Sequence, residues 1–275
     1  MMKVDPFVTK DGSSTLFSKR YNQYYHNPNG ALSESQTVFI KRLNIEAHLQ
    51  AHDGELRVFE IGFGTGLNFL LAAQAFLKAN LDLESNASRA LHFYSVEVNP
   101  ISAEITTSFQ YPIDWQRDSM RNWIFTSLDG LKKGWNHHQP EEDIPIFLHL
   151  YWGNIQEINE LHPEGQCIDF YFHDPFSIQQ NPECWTPSIF EGYKRWGHPH
   201  AKLSTYAAAT QVRAAMAVAG WQVYKTIGVL GKREMTMASL EKLPDVVLQE
   251  QQLKACNLKH LIQRWDAGDW NRSDN

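Results

Sequence analysis

Three features are scarce in this 275-residue chain, and each scarcity argues against a class of protein. The three cysteines, Cys167, Cys184 and Cys256, have no CxxC spacing, which disfavours a disulfide framework and suits a reducing compartment. No run approaches the roughly 18 consecutive apolar residues that a membrane span needs. The N-terminus also lacks an apolar signal segment. We therefore expect a cytoplasmic protein with no membrane partner.

Positive charge is also in short supply, since the formal net charge is −6. Proteins that coat a nucleic acid are normally basic, because neutralised phosphates supply most of their affinity. The charge disfavours extensive nucleic-acid contact but leaves room for a local basic patch around one nucleotide. The chain has 12 histidines, but His137-His138 and His198-Pro199-His200 lack the spacing that puts two ligands on one helix face. We therefore expect no metal site.

From Arg57 onward, strand-like and helix-like segments alternate along the sequence. This alternation predicts an α/β fold of the Rossmann-like type, with a mostly parallel, doubly wound sheet. Two closely spaced final strands predict a C-terminal antiparallel hairpin. The predicted strands are 58–61, 91–96, 145–150, 168–172, 202–206, 221–227 and 233–238, and the predicted core helices are 67–78 and 207–219, the second capped by Gly220.

The remaining segments suggest a single core with additions at both ends. Residues 1–50 are predicted to be an N-terminal extension packed on the core, with a loop or hairpin at 18–30 and a helix at 36–49. Residues 51–240 form the predicted main domain, with an insertion without clear periodicity at about 108–143. Residues 241–275 are predicted to be a helical tail, with its helix at 246–264.

A glycine-rich loop, Glu60-Ile61-Gly62-Phe63-Gly64-Thr65-Gly66, joins the first core strand to the helix after it. Glycines let the backbone turn sharply and approach a ligand without a Cβ in the way. The first turn of the helix adds unpaired N–H groups. We predict a nucleotide-binding loop in which a side chain at Gly64 would fill space that the ligand needs.

The form of the loop distinguishes between two kinds of nucleotide. A dinucleotide fingerprint reads GxGxxG, whereas this loop has three alternating glycines after an acidic residue, Glu60. A carboxylate repels a pyrophosphate but attracts an ammonium group such as that of a methionine moiety. Glu97, at the end of the second strand, can accept hydrogen bonds from both ribose hydroxyls. The loop resembles motif I of class I methyltransferases that use S-adenosylmethionine (SAM), which favours SAM over NAD.

The fourth predicted strand runs into His173-Asp174-Pro175-Phe176. Ligands of open α/β sheets bind beyond the carboxyl ends of the strands, so Asp174 is predicted to face the cofactor. The turn resembles the (Asn/Asp/Ser)-Pro-Pro-(Tyr/Phe) motif of amino-methyltransferases. A carboxylate there can accept the N–H of an attacking amine and stabilise its developing positive charge, while Phe176 can stack on a base. The alternative is that Asp174 caps a local turn or the helix beginning near Pro182.

Taken together, these segments resemble the methyltransferase domain of the MnmC family over residues 11–237. Members of the family transfer a methyl group from SAM to the primary amine of 5-aminomethyl-(2-thio)uridine at tRNA position 34. The matching runs are Asn29-Gly30-Ala31-Leu32-Ser33-Glu34-Ser35, Gly62-Phe63-Gly64-Thr65-Gly66-Leu67-Asn68-Phe69, Tyr151-Trp152-Gly153-Asn154, Asn181-Pro182-Glu183-Cys184-Trp185 and Gly231-Lys232-Arg233-Glu234.

The resemblance implies roles for individual residues and a partner. It implies Asp174 as the catalytic acid/base and tRNA as the partner, contacted locally at the anticodon loop. Gly153 and Asn154 fall on the cofactor side, where the family usually has Gly-Asp, and an Asn carbonyl can still accept from the adenine amine. Tyr25, Phe176, Lys232 and Arg233 are the candidates for substrate contact.

Besides Asn154, two further departures from the family leave alternatives open. Bifunctional members carry an FAD-dependent oxidase domain, and because this chain ends at Asn275 we expect a stand-alone methyltransferase served by a separate upstream oxidase. The family turn Asp-Gly-Phe-Ala-Pro is Asp174-Pro175-Phe176-Ser177-Ile178 here. A SAM-dependent N-methyltransferase of a small molecule or protein, and a non-catalytic SAM-binding module, therefore remain as alternative functions.

Overall fold

The computed structural model describes residues 4–81, 89–106, 109, 111, 128, 130–139, 144–158 and 167–270. The chain divides into two compact units, residues 1–158 and 159–275. No helix in the described ranges is long and apolar enough to cross a membrane.

The first unit begins with a small antiparallel sheet, built from β1 (Val4–Val8), β2 (Ser14–Ser18) and β3 (Gln23–Tyr24). Asp11, in the β1–β2 turn, accepts hydrogen bonds from the backbone N–H of Ser13 at 3.1 Å and of Ser33 at 2.9 Å. The segment 18–30, predicted to be a loop or hairpin, contains β3, whose partner β2 lies almost entirely before it. The pairing of β1 with β2 was not predicted.

The helix predicted at 36–49 is wrong as a single element. The structure has α1 (Ala31–Ser35), a π-helical segment (Gln36–Lys41) and α2 (Ile45–Ala51). The break lies at Asn44, whose φ of 56° is left-handed and cannot continue a right-handed helix. Asparagine tolerates this conformation better than most residues, so the chain can change direction there.

The main sheet of the first unit has the order β4-β5-β7-β6. Parallel pairing joins β4 to β5 and β5 to β7, as predicted for the core strands. Ile61 lies opposite Val96, and Glu97 lies opposite Trp152, so the carboxyl ends of the three strands share one edge. The elements are β4 (Leu56–Ile61), α3 (Leu67–Leu81), β5 (Leu91–Glu97), α4 (Ala103–Thr106), β6 (Gly134–His138), β7 (Ile146–Trp152) and a 3₁₀ helix (Ile155–Glu157).

Strand β6 lies within the segment predicted as an insertion without periodicity, and the sequence did not reveal it. It pairs antiparallel with β7, where Trp135 and Tyr151 have ring centroids 5.2 Å apart and His137 lies opposite His149. The sequence of β6 does not alternate polar and apolar residues. The strand therefore depends on these cross-strand contacts with β7 and not on a local pattern. Much of the rest of the predicted insertion lies outside the described residues.

The second unit carries strands in the order β8-β9-β11-β10-β12. Strands β8 and β9 are parallel, and the predicted hairpin of β10 and β11 is confirmed. The ring of Tyr171 on β8 stacks on Tyr193 at 4.4 Å, which places a helix against the sheet. The elements are β8 (Ile168–His173), a 3₁₀ helix (Pro182–Trp185), α5 (Pro187–Trp196), β9 (Gly197–Thr205), α6 (Thr210–Val218), β10 (Gln222–Ile227), β11 (Glu234–Ser239), α7 (Asp245–Glu250), β12 (Lys254–Ala255) and α8 (Leu258–Asp266).

The long helix predicted for the tail at 246–264 is also wrong. Gln252 has a φ of 52°, which ends α7, and β12 then pairs antiparallel with β10. Helix α8 restarts with Asn257 at its N-cap, whose side chain accepts from the backbone N–H of His260 at 3.1 Å. The tail therefore adds an edge strand that helical periodicity could not show.

Candidate active site

The glycine loop follows β4 and leads directly into α3. Gly62, Gly64 and Gly66 have φ values of 89°, 53° and 74°, all in the left-handed region that disfavours other residues. The N–H of Gly62 donates to the carbonyl of Val96 at 2.9 Å, which ties the start of the loop to β5. The alternating glycines are therefore required by the backbone itself.

Tyr25, from the segment after β3, lies against the middle of this loop. A Cβ added at Gly64 would stand 3.1 Å from Cδ1 of Tyr25, so a side chain there meets protein before it meets any ligand. The pKa of Tyr25 is raised far above its ordinary value by burial and by the nearby Glu97 carboxylate. Tyr25 therefore stays a neutral phenol beside the loop.

Glu97 ends β5 and is bound to the same loop. Its Oε2 accepts from the backbone N–H of Gly64 at 3.0 Å, and its Oε1 accepts from that of Asn99 at 2.7 Å. Burial raises the pKa of Glu97, and the hydrogen bonds from backbone N–H groups lower it. The carboxylate is thus fixed in orientation, and its remaining lone pairs can accept from two hydroxyl groups.

Glu60 is completely buried behind the loop. Its two oxygens accept from Nδ2 of Asn68 at 2.9 Å and from Oγ of Ser95 at 2.7 Å. Burial raises the pKa of Glu60 to about 8, against these two hydrogen bonds, which lower it. Through these two hydrogen bonds Glu60, on β4, connects its strand to α3 and to β5. The sequence pointed to Glu60 but not to Asn68 or Ser95.

Gly153 and Asn154 follow β7, and the N–H of Gly153 donates to the carbonyl of Glu97 at 3.1 Å. A Cβ at Gly153 would lie 2.5 Å from Cε1 of Tyr151 and 2.7 Å from Oε2 of Glu157, so a larger residue would require these two side chains to move. The side chain of Asn154 caps the 3₁₀ helix by accepting from the N–H of Gln156 at 3.0 Å. This bond uses one of the two lone pairs of the amide oxygen that was expected to reach an adenine amine.

The residues of the first unit fit SAM as a cofactor. Gly64, Glu97 and Gly153 are linked by hydrogen bonds at the carboxyl edge of three strands, and Tyr25 packs against the same loop. Glycines with left-handed φ give a close backbone approach, and the fixed carboxylate suits a ribose. Within the ranges that the structure describes, no group of three histidine, cysteine or acidic side chains is placed to hold a metal ion.

Asp174 lies in the second unit, at the carboxyl end of β8, and is half-buried. Two donors hold the turn after it: Oη of Tyr206 donates to the carbonyl of Pro175 at 2.8 Å, and Nε1 of Trp185 donates to that of Phe176 at 2.9 Å. The N-cap of the nearby 3₁₀ helix is Asn181, so Asp174 does not occupy that position.

His173, directly before Asp174, is completely buried. Its Nδ1 lies 3.0 Å from Oη of Tyr193, and its ring meets Trp185 edge-on with centroids 4.5 Å apart. Burial lowers the pKa of His173 to about 3, so the ring is neutral near neutral pH and supports Trp185 by packing. The sequence did not reveal this supporting role of His173 or Trp185, and no local pattern marks it.

Of the two predicted cationic contacts, Lys232 and Arg233, Lys232 packs beside this turn. Its Nζ lies 4.5 Å from the centroid of the Tyr206 ring, whose hydroxyl holds Pro175. Arg233 is exposed, and its carbonyl accepts from the N–H of Gly228 at 3.2 Å. Lys232 therefore contacts Tyr206, the residue whose hydroxyl holds the turn after Asp174.

Comparisons with known proteins indicate the class of protein to which this chain is similar. A sequence model of the S-adenosyl-L-methionine-dependent methyltransferases matches residues 122–241. The bifunctional MnmC protein for tRNA 5-methylaminomethyl-2-thiouridine biosynthesis from Aeromonas hydrophila is 34% identical over 234 residues, 81% of this chain and 33% of its own length. That from Cupriavidus metallidurans is 30% identical over 242 residues, 85% of this chain and 33% of its own length. The chain thus spans about a third of the curated relatives that it matches.

A solved structure extends the comparison to the fold. The crystal structure of MnmC2 from Aquifex aeolicus matches with a TM-score of 0.68 and 22% identity, over 92% of this chain and 77% of that one. The chain is therefore a SAM-dependent methyltransferase with the Rossmann-like class I fold. Within that class it is an MnmC-like methyltransferase domain, as its sequence runs indicated.

Proposed function

We propose that this methyltransferase methylates the primary amine of 5-aminomethyl-(2-thio)uridine at the wobble position of tRNA. The observation that carries the proposal is the similarity to MnmC proteins, which are named for tRNA 5-methylaminomethyl-2-thiouridine biosynthesis, across more than four-fifths of the chain. The carboxylate of Asp174, on an anchored turn at the end of β8, is a candidate to accept a hydrogen bond from the substrate amine.

SAM, when bound, supplies an electrophilic methyl group on a sulfonium. In the proposal the glycine loop binds the cofactor by its backbone, and the carboxylate of Glu97 accepts from the ribose hydroxyls. Glu60 acts from behind the loop, since its oxygens already accept from Asn68 and Ser95. Gly153 and Asn154 lie on the adenine side, where the Asn154 cap fixes the backbone.

Asp174 would serve the substrate amine. Its carboxylate accepts an N–H and so directs the nitrogen lone pair, stabilises the positive charge that develops as the N–C bond forms, and takes up the proton that nitrogen then loses. Phe176 can stack on the uracil ring. The anchored carbonyls of Pro175 and Phe176 keep this turn from rotating away, which favours a preorganised acceptor.

Contact with tRNA would be local, because the net charge of −6 disfavours a wide phosphate surface. Lys232 and Arg233 are the proposed phosphate contacts, with the anticodon loop as the bound part. An oxidase that removes a carboxymethyl group upstream, on a separate protein or on the same one, would generate the free amine.

The test is methyl transfer from radiolabelled SAM to tRNA that carries 5-aminomethyl-2-thiouridine, with fully modified tRNA as the matched control. We expect label in the wobble nucleoside of the first tRNA only. Equal transfer to the free nucleoside, independent of salt, would indicate that the substrate is a small molecule and not tRNA. Binding of SAM without transfer to any amine would indicate a non-catalytic SAM-binding module.

A further inference from the structure

The turn after Asp174 is held at two consecutive carbonyls by two aromatic donors. Oη of Tyr206 donates to Pro175 at 2.8 Å, and Nε1 of Trp185 donates to Phe176 at 2.9 Å. The two rings meet edge-to-face, with centroids 6.2 Å apart. Trp185 is buried, at 2% exposure, and comes from the 3₁₀ helix, whereas Tyr206 follows β9 and is half-buried.

Tyr206 also touches the loop between β10 and β11. Nζ of Lys232 lies 4.5 Å from its ring centroid, within the range of a cation–π contact. One face of the residue therefore faces a proposed phosphate contact, while its hydroxyl holds the backbone one residue after Asp174. Neither contact depends on the other chemically, because the first uses the ring and the second uses the hydroxyl.

We propose that Tyr206 is a positioning residue for methyl transfer, which orients Asp174 through the carbonyl of Pro175. The inference rests on the proposed function, in which Asp174 serves the amine. Proline has no N–H with which to anchor the turn, so the backbone at this point depends on its carbonyls. Loss of the Tyr206 hydroxyl removes this donor from the carbonyl of the buried Pro175 and lets the turn explore other orientations.

The substitution Tyr206→Phe removes the hydroxyl and keeps the ring beneath Lys232. We expect kcat to fall about two- to tenfold, the range of one neutral hydrogen bond, with KM for tRNA and SAM affinity unchanged. Lys232→Ala should show the opposite pattern, a raised KM for tRNA with kcat retained. This split separates a residue that orients the turn from one that binds the substrate.

Tyr224→Phe is the matched control, because the Tyr224 hydroxyl also has a backbone partner, accepting from the N–H of Leu243 at 2.9 Å. It removes a buried hydroxyl from the same unit without touching the turn. We expect Tyr224→Phe to lose a similar amount of thermal stability and to keep the kcat of the parent. A fall in kcat equal to that of Tyr206→Phe would assign both effects to general destabilisation and overturn the proposal.

A second measurement does not need the substrate. The Trp185 indole proton bonds to Phe176, so its hydrogen exchange reports the order of the turn. In ¹⁵N-labelled protein, with the resonance assigned by Trp185→Phe, we expect Tyr206→Phe to speed this exchange about two- to tenfold and Tyr224→Phe to leave it unchanged. Unchanged exchange, or faster exchange with parental kcat, would overturn the proposal. Absence of tRNA methylation by the parent protein would instead refute the proposed function, while exchange still tests whether Tyr206 orders the turn.

Discussion

Gly64→Ala tests the geometry of the cofactor loop most directly. The φ of Gly64 is 53°, where a residue with a Cβ costs about 1–2 kcal/mol. The added Cβ would also lie 3.1 Å from Cδ1 of Tyr25, so the ring or the loop must move by a few tenths of an ångström. Because Gly64 lies in the loop that is proposed to approach the cofactor, this displacement should lower SAM affinity about 5- to 30-fold, which corresponds to about 1–2 kcal/mol.

The matched control is Gly12→Ala in the same unit. Gly12 has a φ of 81°, but nothing lies within 4 Å of an added Cβ. Both variants should lose about 1–2 kcal/mol of unfolding free energy from backbone strain, and only Gly64→Ala should lose SAM affinity. Chemical denaturation measures the first quantity, and isothermal titration calorimetry measures the second.

A double-mutant cycle with Tyr25→Ala separates the two sources of strain. Removing the ring should recover the contact contribution of Gly64→Ala but leave the contribution from φ. A folded Gly64→Ala protein with parental SAM affinity would refute the placement of the cofactor at this loop.

Three further predictions concern the charge of Asp174, the ionisation of Glu60 and the contact of Lys232 and Arg233 with tRNA. Asp174→Asn should lower kcat about 10²- to 10⁴-fold and leave SAM affinity unchanged, in steady-state kinetics and calorimetry, because it removes charge but no cofactor contact. The pKa of Glu60, about 8 against an ordinary 4.5, means that the folded protein keeps a proton that the unfolded chain releases. Stability should therefore fall as the pH rises from about 4.5 to 8, and in thermal melts Glu60→Gln should gain on the parent over that window. Lys232→Ala combined with Arg233→Ala should weaken tRNA binding and flatten its log–log salt slope by about one to two units, with unchanged SAM affinity.

Each of these predictions has a contradicting result. Turnover of Asp174→Asn within threefold of the parent, at saturating substrate, would remove Asp174 from the chemistry. A constant difference in melting temperature between Glu60→Gln and the parent across pH 5 to 9 would mean that Glu60 ionises normally. An unaltered salt slope in the Lys232 and Arg233 variant would place the phosphate contacts elsewhere.

The sequence was sufficient for the elements whose signal is local. A buried strand, three alternating glycines and a following helix predicted β4, the loop and α3, because the φ values at Gly62, Gly64 and Gly66 limit those positions to glycine. The distinctive runs likewise indicated the MnmC-like family, which the comparisons support. Both kinds of signal are contained in a few consecutive residues.

Only the tertiary structure decided what depends on residues far apart in the chain. Strand β6 has no alternating pattern and exists through its pairing with β7. The break at Asn44 opposes the helical periodicity around it, and β12 forms because β10 offers it an edge. Long-range pairing and left-handed turns leave little trace in local periodicity, so the sequence predicted one helix at each of these two places.

The same limit applied inside the site. The sequence identified Glu60, Glu97 and Asp174 as acidic residues at strand ends, but it did not assign their partners. Burial between β4, β5 and α3 turns Glu60 into a support with a raised pKa, whereas the Gly64 N–H fixes the orientation of the half-buried Glu97. The environment of a carboxyl group is set by its solvent exposure and by its donors, and only the folded chain brings those donors together.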